Sequence, residues 1–143
     1  MKKWMKTIAT TMALTMAMTG CGGSSDAPAD DAADKYTVGI VQQLEHPALD
    51  AATLGFQEKL TELLDGNVTF DYQNAQGEQT NCTTIATKFV SDGVDLIMAN
   101  ATPALAAAYT ATEIIPSLGT SVTEYGVALG IENFSGTVGG NVS

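Results

Sequence analysis

Short apolar runs alternate with helical stripes from Tyr36 onward, and this alternation restricts the fold more than any other feature of the chain. Residues 38–41 are typical of a strand buried on both faces, because this short run contains no polar residue. Further strands are predicted at residues 68–72, 94–99, 114–118 and 127–131. Strands joined by helices favour an α/β fold, a doubly wound parallel sheet with helices on both faces.

Three helices are predicted between these strands. The first begins at Pro47, because proline needs no amide partner at the first helical position, and Gly66 ends it. The third begins at Pro103, with Thr102 placed to cap it. In the second strand, apolar and polar residues alternate, which suits the edge of the sheet. The apolar stripes recur at helical spacing, at Leu49, Ala52, Phe56, Leu60 and Leu63 and again at Cys82, Ile85, Ala86, Phe89 and Val90.

Residues 1–20 have the pattern of a bacterial lipoprotein signal peptide. Lys2, Lys3 and Lys6 precede a mostly apolar run, which ends at Gly20 just before Cys21. Cleavage there would leave Cys21 to bear a diacylglycerol, so we expect an extracytoplasmic protein anchored to the cell membrane by lipid on Cys21. An ordinary secretory leader cleaved elsewhere and a buried structural helix are the alternatives. The run is too short for a membrane-spanning helix, which needs roughly 20 apolar residues.

Residues 21–35 contain no large apolar side chain, so they are predicted to form a flexible tether before a folded part at residues 36–143. Charge restricts the partners of the chain as a whole. Without the leader lysines, 3 basic residues face 16 acidic ones, a net charge of −13. Nucleic acid binding is disfavoured, because a phosphate backbone requires a basic surface. The acidity is typical of an exported domain that stays soluble.

The sequence contains no recognisable catalytic or metal-binding set. Cys82 shares a helical face with core residues, so we interpret it as a small buried residue rather than a nucleophile or a disulfide partner. His46 is the single histidine, and no cysteine pair has zinc-site spacing. No nucleophile is matched to a base and no phosphate-binding glycine motif is present, so neither an enzyme nor a cofactor is predicted.

Polar loops follow four of the predicted strands, at residues 42–46, 73–76, 99–102 and 119–123. In a parallel doubly wound sheet, ligands bind outside the carboxyl ends of the strands, where helix amino ends offer unpaired amides. These loops are rich in Asn, Gln, Thr, Ser, Glu and His. Their composition suits hydrogen bonding to a small molecule.

Three stretches of the chain resemble the tryptophan/tyrosine family of ABC transporter substrate-binding lipoproteins. They are Val38-Gly39-Ile40 with Glu45-His46-Pro47-Ala48-Leu49-Asp50, then Asp71-Tyr72-Gln73-Asn74-Ala75-Gln76-Gly77, then Val94-Asp95-Leu96-Ile97 with Ala101-Thr102-Pro103-Ala104. The resemblance implies a type I periplasmic-binding-protein fold, in which two lobes close on a ligand by hinge motion. It also implies an ABC permease in the membrane as partner.

By position, the resemblance assigns ligand contact to the residues at the strand ends. These candidates are Glu45, His46, Asn74, Gln76, Asn100, Ala101, Thr102, Ser121 and Thr123. For an amino acid ligand, helix amides and the hydroxyl of Thr102 or Ser121 would bind the carboxylate, and Glu45 would face the ammonium. Simpler roles stay open, with Thr102 as a helix cap, His46 as a loop residue and Asn74 as a turn former.

Family members need a second α/β lobe, so we expect this chain to hold the N-terminal lobe only, as a gene fragment or a short product. The leading function is an amino acid-binding component of an ABC importer. A ligand-sensing receptor lipoprotein of the same fold is the alternative, and an extracytoplasmic enzyme a weaker one. Neighbouring genes would separate transport from sensing.

Overall fold

The computed structural model describes residues 35–143, so the predicted signal peptide, the lipidated Cys21 and all but the last residue of the tether lie outside the described residues. Strands and helices alternate along this part of the chain. In order they are β1 (Tyr36–Gln42), α1 (Pro47–Leu63), β2 (Val68–Asn74), α2 (Gln79–Asp92), β3 (Leu96–Asn100), α3 (Thr102–Ala111), β4 (Ser117–Thr120) and α4 (Tyr125–Leu129). None of the helices in this part is long and apolar enough to cross a membrane.

The four strands form one parallel sheet in the order β2-β1-β3-β4, which confirms the predicted sheet and the edge position of β2. The register brings the last residues of all four strands side by side. Gln42 pairs with Asn74 on one side and with Asn100 on the other, and Asn100 pairs with Thr120. Four polar residues therefore form a row across the carboxyl edge of the sheet.

Helices cover both faces of the sheet, as predicted. On one face, Phe56 and Leu60 of α1 pack against Val38 and Ile40 of β1. On the other face, Val41 of the same strand belongs to the core that α2 and α3 complete. Alternate residues of β1 thus face different cores, which confirms the prediction of a strand buried on both sides.

Cys82 occupies the core position that its helical spacing predicted. Its side chain is fully buried beside Ala86 and Phe89, and burial raises the pKa of the Cys82 thiol. A thiol held protonated in this way is a poor nucleophile, since the thiolate is the reactive form.

The predicted strand at residues 127–131 is wrong, because residues 127–129 form the end of α4 and residues 130–131 follow it outside any strand. The Glu124 carboxylate accepts hydrogen bonds from the amides of Gly126 and Val127 and so caps the helix. Gly130 ends it with a left-handed backbone, at φ 66°. The side chain of Val127 is 84% exposed, while Leu129, two residues on, is partly buried against the core.

The fourth strand begins later than predicted, at Ser117. Before it, the Thr112 hydroxyl accepts hydrogen bonds from the amides of Ile114 and Ile115, which holds a turn where a strand was expected. The outer edge of β4 pairs with residues near the chain end, since Val142 forms a parallel bridge to Ser117. Residues 127–131 therefore do not occupy the position beside β4.

The third helix also begins one residue earlier than predicted, at Thr102 rather than Pro103. Ala101, not Thr102, is the N-cap residue, and no side chain caps this helix. The Ala101 carbonyl accepts from the Leu105 amide at 3.0 Å, while its own amide donates to Thr120 at 2.9 Å. Those two backbone bonds place Ala101 at the junction between β3 and α3.

Candidate ligand-binding site

The carboxyl edge of the sheet contains the candidate site, and it is built on the polar row of Asn74, Gln42, Asn100 and Thr120. Gln42 and Asn100 occupy the two central strands and are fully buried. Asn74 and Thr120 occupy the flanking strands and are half-buried. The row separates the apolar core from the loops above it.

The two central side chains of this row form a buried hydrogen-bond network with Thr53 of α1. Thr53 Oγ1 donates to Gln42 Oε1 at 2.7 Å and accepts from Asn100 Nδ2 at 3.0 Å. Gln42 Nε2 donates to the Leu44 carbonyl at 2.9 Å and to Asp50 Oδ1 at 2.6 Å. Among the hydrogen bonds of residues 35–143, none reaches Asn100 Oδ1, although this atom is buried.

Backbone hydrogen bonds join the four strand-end loops into one edge. The Gln43 amide donates to the Asn100 carbonyl at 3.2 Å, and the Gly77 amide donates to the Gln43 carbonyl at 2.7 Å. The bond from Ala101 to Thr120 adds the loop after β4. The structure therefore brings together the loops that contain all nine predicted ligand residues.

Ala101 has a backbone conformation that only glycine adopts without strain. Its φ of 93° and ψ of 160° place a Cβ against the neighbouring backbone, at a cost of about 1–3 kcal/mol. Strain of this size persists where the surrounding structure enforces it, and it clusters at binding sites. Next to it, the half-buried Thr102 hydroxyl accepts from the amide of the exposed Thr123 at 3.4 Å, which links the third and fourth loops.

In the second loop, Asn74 is a turn former, as the simpler interpretation predicted. Asn74 Oδ1 accepts from the Gln76 amide at 2.8 Å, and Gln76 has a left-handed backbone at φ 56°. The Gln76 side chain is exposed at the edge. Ser121, in the fourth loop, is also exposed and left-handed, at φ 55°.

The helices at this edge differ in how their amino ends are capped. His46 caps α1, because its Nδ1 accepts from the Ala48 amide at 3.2 Å, so His46 has a structural role. In the described part of the chain, no side chain caps α2 or α3. The amino ends of these two helices are neighbours, since Gln79 Nε2 donates to the Pro103 carbonyl at 3.2 Å. Uncapped amides and the helix dipole favour a negatively charged group there.

Acidic side chains lie in and beside these loops, and within residues 35–143 none of the four loops contains a lysine. Glu45 and Glu78 are exposed in the first and second loops. The nearby carboxylates add to burial in raising the pKa of the Tyr72 phenol, with burial the larger cause and Asp50 and Glu45 contributing. The edge therefore combines positive helix ends with negative side chains, an arrangement suited to a zwitterion.

The sequence patterns missed Gln42, Asp50 and Thr53 as site residues. Gln42 falls at the end of a run that is otherwise apolar, and Thr53 lies beside the apolar stripe of α1. Gln42 and Thr53 are polar residues at buried positions of β1 and α1 that face each other. Polar residues at two such positions in the sequence are the signal that could have identified them.

A family model described as ABC transporter substrate binding protein matches residues 37–143, which is most of the chain. The chain belongs to the ABC transporter substrate-binding protein family. The family predicted from the three motifs is therefore confirmed. A "Tyrosine-binding protein" of Clostridioides difficile strain R20291 is 42% identical over 127 residues, which cover 87% of this chain and 36% of that protein.

Solved structures of substrate-binding proteins confirm the α/β fold. A Clostridium difficile substrate binding protein with adhesive properties, in its ligand-free open form, is 43% identical with a TM-score of 0.67. A Streptococcus pneumoniae ABC domain in complex with L-Trp is 30% identical with a TM-score of 0.68. Each comparison covers 76% of this chain and 37% of the other, so the chain spans just over a third of these relatives.

Proposed function

We propose that this chain is the N-terminal lobe of an extracytoplasmic solute-binding component of an ABC importer, and that its ligand is an aromatic amino acid. The relatives support the ligand class, since one is named for tyrosine and another was solved with L-Trp. The ligand lies in a cleft between this lobe and a second one. Its contacts come from the strand-end residues Glu45, His46, Asn74, Gln76, Ala101, Thr102, Ser121 and Thr123, while the buried Asn100 lies beneath them.

The observation that supports this function best is the pair of adjacent, uncapped amino ends of α2 and α3. Their amides and the Thr102 hydroxyl bind the ligand carboxylate, for which this lobe offers no arginine. Glu45 faces the ligand ammonium. A carboxylate needs donors and an ammonium needs an acceptor, and the edge provides both within one set of loops.

The importer role requires the protein to work beside a permease. In this proposal, lipid on Cys21 holds it at the membrane, and residues 21–35 let the folded part move while raising its effective concentration near the permease. Mass spectrometry of the membrane fraction tests the anchor. We expect an amino-terminal Cys21 bearing acyl chains, and an intact Met1 without acyl mass would refute the anchor.

Ligand binding is tested by isothermal titration of the complete gene product with L-tyrosine and L-tryptophan. Two analogues separate the roles of the charged groups: tyramine lacks the carboxylate, and 3-(4-hydroxyphenyl)propionate lacks the ammonium. We expect both analogues to bind at least about tenfold more weakly than L-tyrosine, since each leaves buried polar groups unpaired. Equal affinity for tyramine and L-tyrosine would refute the carboxylate assignment.

A further inference from the structure

Two buried carboxamides at the carboxyl edge have no solvent-facing surface with which to reach a ligand. Gln42 and Asn100 are both 0% exposed, and they face each other at the ends of β1 and β3. Burying a side-chain amide costs free energy unless its polar atoms form hydrogen bonds inside the protein. The partners of these two side chains show what they hold.

Both carboxamides hold the amino end of α1. Asn100 Nδ2 donates to the Leu49 carbonyl at 2.8 Å, which fixes the first turn of α1 to β3. Gln42 Nε2 donates to the Leu44 carbonyl and to Asp50, which fixes the loop before α1 and the same first turn to β1. The loop between these anchors contains Glu45 and His46, so its position depends on buried side chains.

Thr53 connects the two amides through a single hydroxyl. Because its proton goes to Gln42 Oε1, the Thr53 oxygen is left to accept from Asn100 Nδ2. The hydroxyl thus orients both carboxamides at once. A valine at this position would have the same shape but would remove both of these bonds, and the Gln42 oxygen would keep only the long bond from Asn100 Nδ2 at 3.4 Å.

The same asparagine also adjoins the amino end of α3. Its carbonyl accepts from the Gln43 amide, and the next residue is the strained Ala101. Asn100 Oδ1 is buried without a hydrogen-bond partner in the described residues, which reduces the net stability that the side chain provides. A leucine, which branches at the same atom but carries no polar group, would avoid that cost, so stability alone does not account for an asparagine here.

We propose that Asn100, together with Gln42 and Thr53, is a positioning residue of the ligand site, which holds the Glu45–His46 loop of α1 in a fixed relation to Thr102 of α3. This inference rests on the proposed function, because it assigns these side chains to the same strand-end site. Asn100 acts through the α1 turn and through Ala101 rather than by touching the ligand.

The test measures ligand affinity and stability together in the complete gene product. Asn100→Leu removes the bonds from Asn100 to Leu49 and Thr53, and Thr53→Val removes the bonds of the Thr53 hydroxyl. Thr53→Ser keeps that hydroxyl, and Val94→Ala is a matched core control in the cluster on the opposite face of the sheet. We expect Asn100→Leu and Thr53→Val to raise the Kd for L-tyrosine about tenfold, with Thr53→Ser close to wild type. Val94→Ala should lower the Tm but change the Kd by less than about twofold.

A spectroscopic readout separates positioning from folding. In Asn100→Leu, the backbone amide signal of Ala48, which reports the His46 cap, should shift in the ligand-free protein. Should Asn100→Leu not fold, the comparison of Thr53→Val with Thr53→Ser decides. Unchanged Kd values in both network variants overturn the proposal, as does an affinity loss in Val94→Ala that matches its loss of stability.

The two proposals fail differently. Wild-type protein that binds neither L-tyrosine nor L-tryptophan refutes the proposed function. In that case the Ala48 amide still tests the positioning, because an unshifted signal in Asn100→Leu means that the buried network does not set the position of the loop.

Discussion

Gly39 and Phe89 meet at the interface between β1 and α2, and only a glycine leaves room for the ring. A Cβ on Gly39 would lie 2.6 Å from Cγ and Cδ2 of Phe89. Phe89 is fully buried and belongs to the core cluster on the α2 and α3 side of the sheet. This pair therefore limits how closely α2 approaches the sheet at Phe89.

Gly39→Ala should lower the free energy of unfolding by about 2 kcal/mol, since forcing one methyl group into a packed core costs about 1–3 kcal/mol. Urea denaturation measures the change. Gly55→Ala is the matched control, because no atom lies within 4 Å of a Cβ there and the residue is helical. That control should gain up to about 1 kcal/mol. Equal stability in the two variants would contradict the steric argument.

Ala101→Gly should relieve backbone strain at the start of α3. Ala101 has φ 93° and ψ 160°, a region that costs a non-glycine residue about 1–3 kcal/mol. Glycine has greater freedom in the unfolded chain, which offsets about 0.5–1 kcal/mol of the relief of strain. We therefore expect a net stabilisation of about 1 kcal/mol. Ala111→Gly, at the last position of the same helix, should not stabilise. Thermal denaturation of both variants measures this, and a destabilised Ala101→Gly would count against strain.

The Asp71 carboxyl should titrate below its usual range. Hydrogen bonds from Lys88 Nζ at 2.7 Å and from Gln73 hold the pKa of Asp71 down, with Lys88 the larger cause. Carbon-detected NMR titration should show this, and Lys88→Met should raise the Asp71 pKa. Lys59→Met, which breaks the exposed pair with Glu62, is the control and should leave the Asp71 pKa unchanged.

The same shift gives a pH dependence of stability. The folded-state pKa of Asp71 is lowered, so its contribution is present above the pKa of the unfolded carboxyl and is lost as pH falls through the folded-state value. The difference in the free energy of unfolding between wild type and Lys88→Met should therefore shrink as the pH falls from the pKa of the unfolded carboxyl to below the folded-state pKa of Asp71. A difference that grows on acidification would show that Lys88 acts through another group.

The alternation of strands and helices predicted the architecture because periodicity directly reports which faces are buried. It failed at residues 127–131, where the apolar letters matched a strand but Glu124 caps a short helix and Val127 stays exposed. Sequence patterns do not show whether tertiary packing will bury a given apolar residue. The Glu124 cap and the tertiary surroundings of this segment, rather than its apolar pattern, made it a helix.

The candidate site was predicted in part, for a related reason. The rule that ligands bind at the carboxyl ends of parallel strands located the loops, but not which side chains turn inward. Asn100 was expected to face the ligand, and the structure places it under the loops, bonded to Leu49 and Thr53. Gln42 is the neighbour of Asn100 because of the register between β1 and β3. That register depends on strand pairing, which local sequence does not encode.

Thr102→Val should weaken binding of L-tyrosine about tenfold, because the proposed carboxylate contact loses its only side-chain hydroxyl while the shape is kept. The loss should be confined to ligands with a carboxylate, so the affinity for tyramine should change by less than about twofold. Thr110→Val is the matched control on the same helix, since its hydroxyl bonds only the Ala106 carbonyl and lies far from the amino end. Isothermal titration of the complete gene product with L-tyrosine and with tyramine measures the affinities of wild type, Thr102→Val and Thr110→Val. An equal loss of affinity for tyramine would mean that Thr102 acts by holding the loop through Thr123 rather than by binding the carboxylate.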